Sequence, residues 1–168
     1  PASWLEPADD YGDGAIYTIR RFELSEIPEN CFFYACGLGY HSLYLNGNRI
    51  APDDWMTPPF TSYHKRCCYT AHTDLQKLLH IGKNVIGMVI APGWRRNEGE
   101  YLKATGGREI PFMGRPCFTA VLELFGKNGK HARICADEKW ESTRGAIVQT
   151  NIFQGETYDA RNEIPHWC

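Results

Sequence analysis

The stretch "CFFYACGLGYHSLYLNGNRI", residues 31–50, decides the fold class. It reads as two short strands, residues 31–39 and 40–46, rich in aromatic side chains and leucine and separated by glycine. The second strand runs into a hairpin ending at Ile50, turned by Asn46-Gly47. Asparagine followed by glycine supplies the two positive φ angles that a two-residue hairpin turn requires.

The same grammar continues outward in both directions. Further strands are expected over residues 15–24, 66–74, 83–91, 117–125, 131–138 and 146–153, in a chain whose 16 Gly and 10 Pro make it turn-rich throughout. A second Asn-Gly pair, Asn128-Gly129, sits inside "TAVLELFGKNGKHARICADE", where Leu122 and Leu124 alternate with Val121, Glu123 and Phe125, so that one face turns to a core. "TDLQKLLHIGKN", residues 73–84, has the form of one helical turn: Thr73 or Asp74 as the cap, Leu75, Leu78 and Leu79 on one side, and Gly82 as the stop. Eight strands and one short helix predict an all-β, jelly-roll-like antiparallel sandwich. No repeat or linker composition interrupts the pattern, so residues 1–168 are expected to form a single β-sandwich domain.

Composition narrows the function. Eighteen Lys and Arg against twenty Asp and Glu give a formal charge of -2, which offers no basic footprint for nucleic acid. The apolar runs are far shorter than the roughly 20 residues of a membrane-spanning helix, and no charged-then-apolar leader opens the chain. A soluble protein is the expectation. The proline at position 1 suggests a piece excised from a longer protein. Seven cysteines without C-x-x-C spacing fit neither a full disulfide framework nor a zinc ribbon. In "HKRCCYTAH", residues 64–72, a strand would send Cys67 and Cys68 to opposite faces, which favours isolated thiols over a metal site.

Chemistry is expected in two long loops, residues 52–63 and 93–115. The first carries Asp53, Asp54, Trp55, Phe60 and Tyr63; the second opens with Trp94, Arg95 and Arg96. Aromatic rings for an apolar sugar face, with carboxylates and guanidinium groups for hydroxyls, are what a saccharide site uses. Asp53 and Asp54 are also hard oxygen donors suited to calcium, although an Asp-Asp pair after proline is equally the composition of a solvated turn. Asp53, Asp54, Glu98, Glu100, Glu156 and Asp159 are the carboxylates from which a glycosidase acid and base would be drawn, but their sequence positions fix no separation between any two.

Four motifs then fall into order: "GLGYHSLYLNGNRI", "TSYHKRCCYTAHTDLQKLLHIGKNVIGMVIAPGW", "GRPCFTAVLEL" and "DEKWESTRGAIVQTNIFQGETYDAR". Together, from about Ile16 to Arg161, they resemble the N-terminal β-sandwich domain of bacterial α-L-rhamnosidases. The resemblance implies a non-catalytic domain of a larger multidomain glycoside hydrolase, with hydrolysis belonging to a separate barrel whose acids are absent here. The parent would be bacterial, and either cytoplasmic or exported. Some members of the group bind L-rhamnose through calcium, held by an acidic pair after the L-N-G hairpin and by a later backbone carbonyl. Asp53 and Asp54 match the pair, and Pro111 or Pro116 matches the carbonyl. The segment "APDDWMTPPF" departs from the family's usual glycine before the pair and Pro-Gly-Trp after it, leaving Trp55, Phe60 and Trp94 as substitutes for the aromatic wall.

Two readings follow. In one, calcium on Asp53 and Asp54 takes two hydroxyls of a rhamnose-containing glycan, Arg95 or Arg96 donates hydrogen bonds and a tryptophan covers the apolar face. In the other, the chain is a structural accessory domain packing on the catalytic and other domains of the parent enzyme through "PGWRR" and "GETYDAR", with no sugar site of its own.

Overall fold

The computed structural model describes residues 2–96, 106 and 113–168. Eleven strands are found among them: β1 (Ile16–Leu24), β2 (Asn30–Leu38), β3 (Tyr40–Leu45), β4 (Asn48–Ile50), β5 (Thr70–His72), β6 (Gly82–Ala91), β7 (Cys117–Phe125), β8 (His131–Cys135), β9 (Glu141–Arg144), β10 (Ile147–Asn151) and β11 (Gly155–Tyr158). All pairings are antiparallel. A five-stranded sheet runs β4-β3-β6-β1-β9, a four-stranded sheet runs β5-β2-β7-β8, and β10 and β11 form a separate hairpin. The expected all-β sandwich is the one observed.

Strand alternation builds the core. Ile86, Met88 and Ile90 of β6 and Leu43 and Leu45 of β3 meet Phe33 and Ala35 of β2 and Phe118, Ala120, Leu122 and Leu124 of β7. Both Asn-Gly pairs lie at hairpin turns with positive φ, 49° and 78° at Asn46 and Gly47, 57° and 74° at Asn128 and Gly129. Between β2 and β3 the chain passes from one sheet to the other at Gly39, with φ of 125°, where a Cβ would lie 2.1 Å from the Ala91 carbonyl oxygen. Only glycine fits that crossing.

The first turn is tied to the helical connection by two asparagines. Asn84, fully buried, donates to the carbonyls of His80 (2.7 Å) and Gly82 (2.9 Å), and its Oδ1 accepts from the His80 N–H (3.1 Å) and Asn46 Nδ2 (2.8 Å). Asn46 also donates to the Leu78 carbonyl and accepts from the Val85 N–H, each at 2.8 Å. The LNG turn and the entrance to β6 are thus one hydrogen-bonded unit.

Several local expectations are corrected. The helical turn is a 3₁₀ segment, Leu75–Leu78, and Asp74 sits left-handed at its start with no side-chain cap; Thr73 instead donates to the Asp74 carboxylate. It ends at Leu79, and Gly82 opens β6. The strand expected over residues 66–74 contracts to Thr70–His72, because only those residues pair with β2. Cys67 and Cys68 therefore lie outside any strand, exposed and half-buried respectively.

Residues 164–168 cross the outer face of the five-stranded sheet. Trp167 stands edge-on against Tyr17 and Tyr44, with ring centroids 5.3 and 5.2 Å away. Beneath it is Gly87, buried on what would otherwise be the outward face of β6; a Cβ there would lie 2.6 Å from Cys168 Sγ and 2.7 Å from Trp167 Cη2. Close approach of another segment is what a glycine inside an apolar strand signals.

Candidate functional site

The pairing of Tyr40 with Ala91 brings the start of β3 and the end of β6 to one end of the sandwich, where the chain continues from β6 into "PGWRR". The loop after β4 is fastened to the same end. The His41 N–H donates to the Thr57 carbonyl at 2.6 Å, the Asp54 N–H donates to the Ala51 carbonyl at 3.1 Å, and Pro58 is fully buried. Tyr63 is buried beside Cys36, Leu38 and Cys117.

Between these anchors the candidate residues face outward. Asp53 and Asp54 are exposed, and their carboxylates make no hydrogen bond or ion pair among the described residues. Trp55 is 87% exposed. Trp94 behaves differently: it is half-buried, with its ring 5.3 Å from Phe60 and 5.8 Å from Phe153, so it cements the β4 loop, the end of β6 and the β10–β11 hairpin.

The arginines are engaged elsewhere. Arg95 Nε donates to the Arg115 carbonyl at 3.1 Å and the Arg95 carbonyl accepts from the Gly114 N–H at 2.8 Å, which stitches the end of β6 to the approach to β7. Arg96 forms a two-pronged pair with Asp10 at 2.6 and 3.2 Å and lies 3.7 Å from Asp13. That guanidinium holds the Asp10 carboxyl at about 2, aided by the Gly12 N–H. Both side chains brace the N-terminal arm and the base of the second loop. Pro116 is buried immediately before β7, while Pro111, Glu98 and Glu100 lie outside the described residues. Glu156 lies on the exposed β11, and Asp159 is taken up by Arg161 at 2.7 Å.

Sequence reasoning missed a histidine pair at this end. Asp54 shares a small cleft with His41, His72, Arg49 and Thr57. His41 is buried, and its Nδ1 accepts from the Gly37 N–H at 3.2 Å, which places the proton on Nε2, 3.4 Å from Thr70 Oγ1. Burial, with His72 nearby, pushes His41 down to about 4. Burial also lowers His72, opposed by the charge of Asp54. The available signal was alternation: His41 occupies the inward position two residues before Leu43 and four before Leu45.

Among the described residues no three His, Cys, Asp or Glu side chains gather into a metal-holding group. The donors at Asp53 and Asp54 are hard oxygens, at most four of the six to eight that calcium takes. They suit one side of a calcium shell whose remainder would have to come from carbonyls, water or a ligand's hydroxyls.

Known proteins agree on one relationship. A relative from Formosa agariphila, an alpha-L-rhamnosidase, is 31% identical over 163 residues, covering 96% of this chain. This chain spans only 17% of that relative's length. The crystal structure of Streptomyces avermitilis alpha-L-rhamnosidase complexed with L-rhamnose superposes with a TM-score of 0.81 at 30% identity, over 92% of this chain and 14% of that one. The native rhamnosidase from Aspergillus terreus gives a TM-score of 0.83 at 25% identity, over 98% of this chain and 19% of that one. Residues 26–168 match the family described as the alpha-L-rhamnosidase N-terminal domain, and the chain belongs to that family.

Proposed function

We propose that this chain is a non-catalytic carbohydrate-binding domain of an α-L-rhamnosidase, holding terminal L-rhamnose through a calcium ion on Asp53 and Asp54. The observation that carries the reading is the pair of exposed, unpartnered carboxylates beside a fully presented Trp55, on a loop fastened at Thr57 and Pro58. Calcium would bring two sugar hydroxyls into its shell, and Trp55 would cover the apolar face that carries the 6-methyl group. Arg95 and Arg96 act here as braces of the neighbouring loop. Hydrolysis of the glycosidic bond belongs to the remainder of the parent enzyme, consistent with the small share of its relatives that this chain spans. Titration calorimetry with L-rhamnose should show calcium-dependent binding that EDTA abolishes. Binding that persists unchanged in the Asp53→Ala, Asp54→Ala double variant would refute the cation-mediated site.

A second reading, a structural domain docking on the catalytic part, is favoured by the β10–β11 hairpin. All four residues of β11 are exposed, as are Val148 and Phe153. Under this reading Val148→Glu, at an exposed position away from Trp94, lowers the thermal stability of the full-length parent without changing rhamnose affinity of the domain; an unchanged melting temperature would count against docking through this hairpin.

A further inference from the structure

The outer face of the five-stranded sheet carries a groove of about 500 Å³ that the sites above do not use. Its walls include Tyr17, Tyr44, Tyr158 and Trp167, and its polar groups include Arg49 and Glu163. The size and the mixture of aromatic walls with a few polar groups are those of a small-ligand site. The sheet alone would not form it. Residues 164–168 raise one wall, and they lie close to the strands only because Gly87 leaves space for Trp167 and Cys168.

The charges select the ligand. Arg49 is exposed and makes no hydrogen bond or ion pair among the described residues, so its five N–H donors are available. Glu163 accepts from the Tyr158 hydroxyl at 2.7 Å. Burial holds the Tyr17 hydroxyl above its ordinary range, with Glu156 and Glu163 adding to the effect, so it stays neutral. One guanidinium facing carboxylates gives no net attraction for a polyanion. Aromatic surface with separated hydroxyl, guanidinium and carboxylate groups matches a neutral ring that has a C–H face and a rim of hydroxyls.

We propose that this groove is a second, calcium-independent binding site for a neutral saccharide, walled by Tyr44 and Trp167 and hydrogen-bonded by Arg49. Arg49 and Ser42 line both the groove and the small cleft that contains Asp54, so the two sites adjoin. A glycan with rhamnose at Asp53 and Asp54 can extend its next sugar toward Arg49. The inference rests on the sugar-binding reading for its ligand class and is independent of the cation.

The test is titration of the isotopically labelled 168-residue chain with rutinose, a neutral rhamnosyl-glucose disaccharide, in EDTA, observed by NMR. Saturable shifts are expected at the Trp167 indole and the Arg49 side chain, unchanged in the Asp53→Ala, Asp54→Ala variant. Arg49→Met, at an exposed position where folding is not at stake, should weaken binding about tenfold, the effect of losing a hydrogen bond to a charged group. Tyr44→Ala should weaken it as well. Absence of a saturable shift at Trp167 with about 20 mM sugar, well above the millimolar Kd of a weak site, overturns the proposal. Shifts that arise only when calcium replaces EDTA, confined to the Trp55 loop and lost with Asp53 and Asp54, overturn it too while supporting the calcium site. A disaccharide with a uronic acid in place of glucose should bind no better; markedly tighter binding would refute the assignment to neutral sugars.

Discussion

Replacing Asn84 by alanine should be among the most costly single changes in this domain. The side chain is fully buried and makes four hydrogen bonds, two donated and two accepted, between 2.7 and 3.1 Å. Each contributes about 0.5–1.5 kcal/mol net, and truncation also leaves buried partners unmade, so a loss of about 3–5 kcal/mol is expected. Asn46 keeps its bonds to Leu78 and Val85, which holds the figure within that range. Against a domain stability of about 5–15 kcal/mol, the variant remains largely folded near room temperature but close to threshold. Urea denaturation followed by far-UV circular dichroism measures the change; with a slope of about 2 kcal/mol per molar, the midpoint falls by about 2 M. The Asn46→Gly variant separates turn from network, since glycine keeps the positive φ and removes the side-chain bonds. The two changes should be non-additive by more than about 0.5 kcal/mol because the residues share a hydrogen bond. A midpoint shift under about 0.5 M for Asn84→Ala, or strict additivity with Asn46→Gly, would show that the turn is not held this way.

Gly87→Ala should release the C-terminal segment, costing about 1–3 kcal/mol for the two ring contacts of Trp167; in a chain lacking residues 164–168 the same change should be neutral or stabilising, and an unaltered Trp167 indole signal in the full chain would disprove the seat. His41 makes stability fall with acid: its folded pKa, about 4, lies below the ordinary 6.5, so the unfolded chain gains the proton first. Stability is full above pH 6.5 and drops by about 3 kcal/mol as pH falls to about 4, with His72 adding in the same direction; His41→Asn, whose Oδ1 can replace Nδ1 as acceptor for the Gly37 N–H, should flatten the urea midpoint against pH. Trp55→Ala should leave stability within about 0.5 kcal/mol while abolishing rhamnose binding, whereas Trp94→Ala should cost about 1–3 kcal/mol through lost ring contacts; equal losses of stability from the two would erase the distinction.

The long strands were legible because each states its own pattern. β1, β2, β3, β6 and β7 differ from the expected bounds by one residue or none, since inward positions carry Ile, Leu, Phe or Met and the intervening turns carry Gly or Asn-Gly. β9 and β11 were missed for the opposite reason. "ESTR" and "GETY" are exposed at every position and exist only because a neighbouring strand offers backbone partners. A strand defined by its partner leaves no hydrophobic period to read. The contraction of residues 66–74 to Thr70–His72 has the same cause, since β2 pairs there only through Phe33, Tyr34 and Ala35. Gly87 was a readable signal, a glycine amid "NVIGMVI", but the sequence does not say which segment approaches it.

The same division runs through the candidate site. Asp53, Asp54 and Trp55 are local: consecutive residues on one turn, displayed together wherever the loop is anchored. Arg95 and Arg96 have the right chemistry for a sugar, yet Arg96 is drawn to Asp10, 86 residues earlier in the chain, and Arg95 to the Arg115 carbonyl, 20 residues later. Nothing within either loop announces those partners. Trp94 and Trp55 make the point sharply, because both look like sugar platforms in sequence. Trp94 leaves β6 beside Tyr40 and is captured by Phe60 and Phe153, so its ring becomes part of the support. Trp55 follows two carboxylates that keep the turn in water, and its ring stays free. A supporting ring at the loop's base and a free ring on the loop itself are the arrangement the proposed sugar site needs, since the first fixes the loop so that the second loses little freedom on binding.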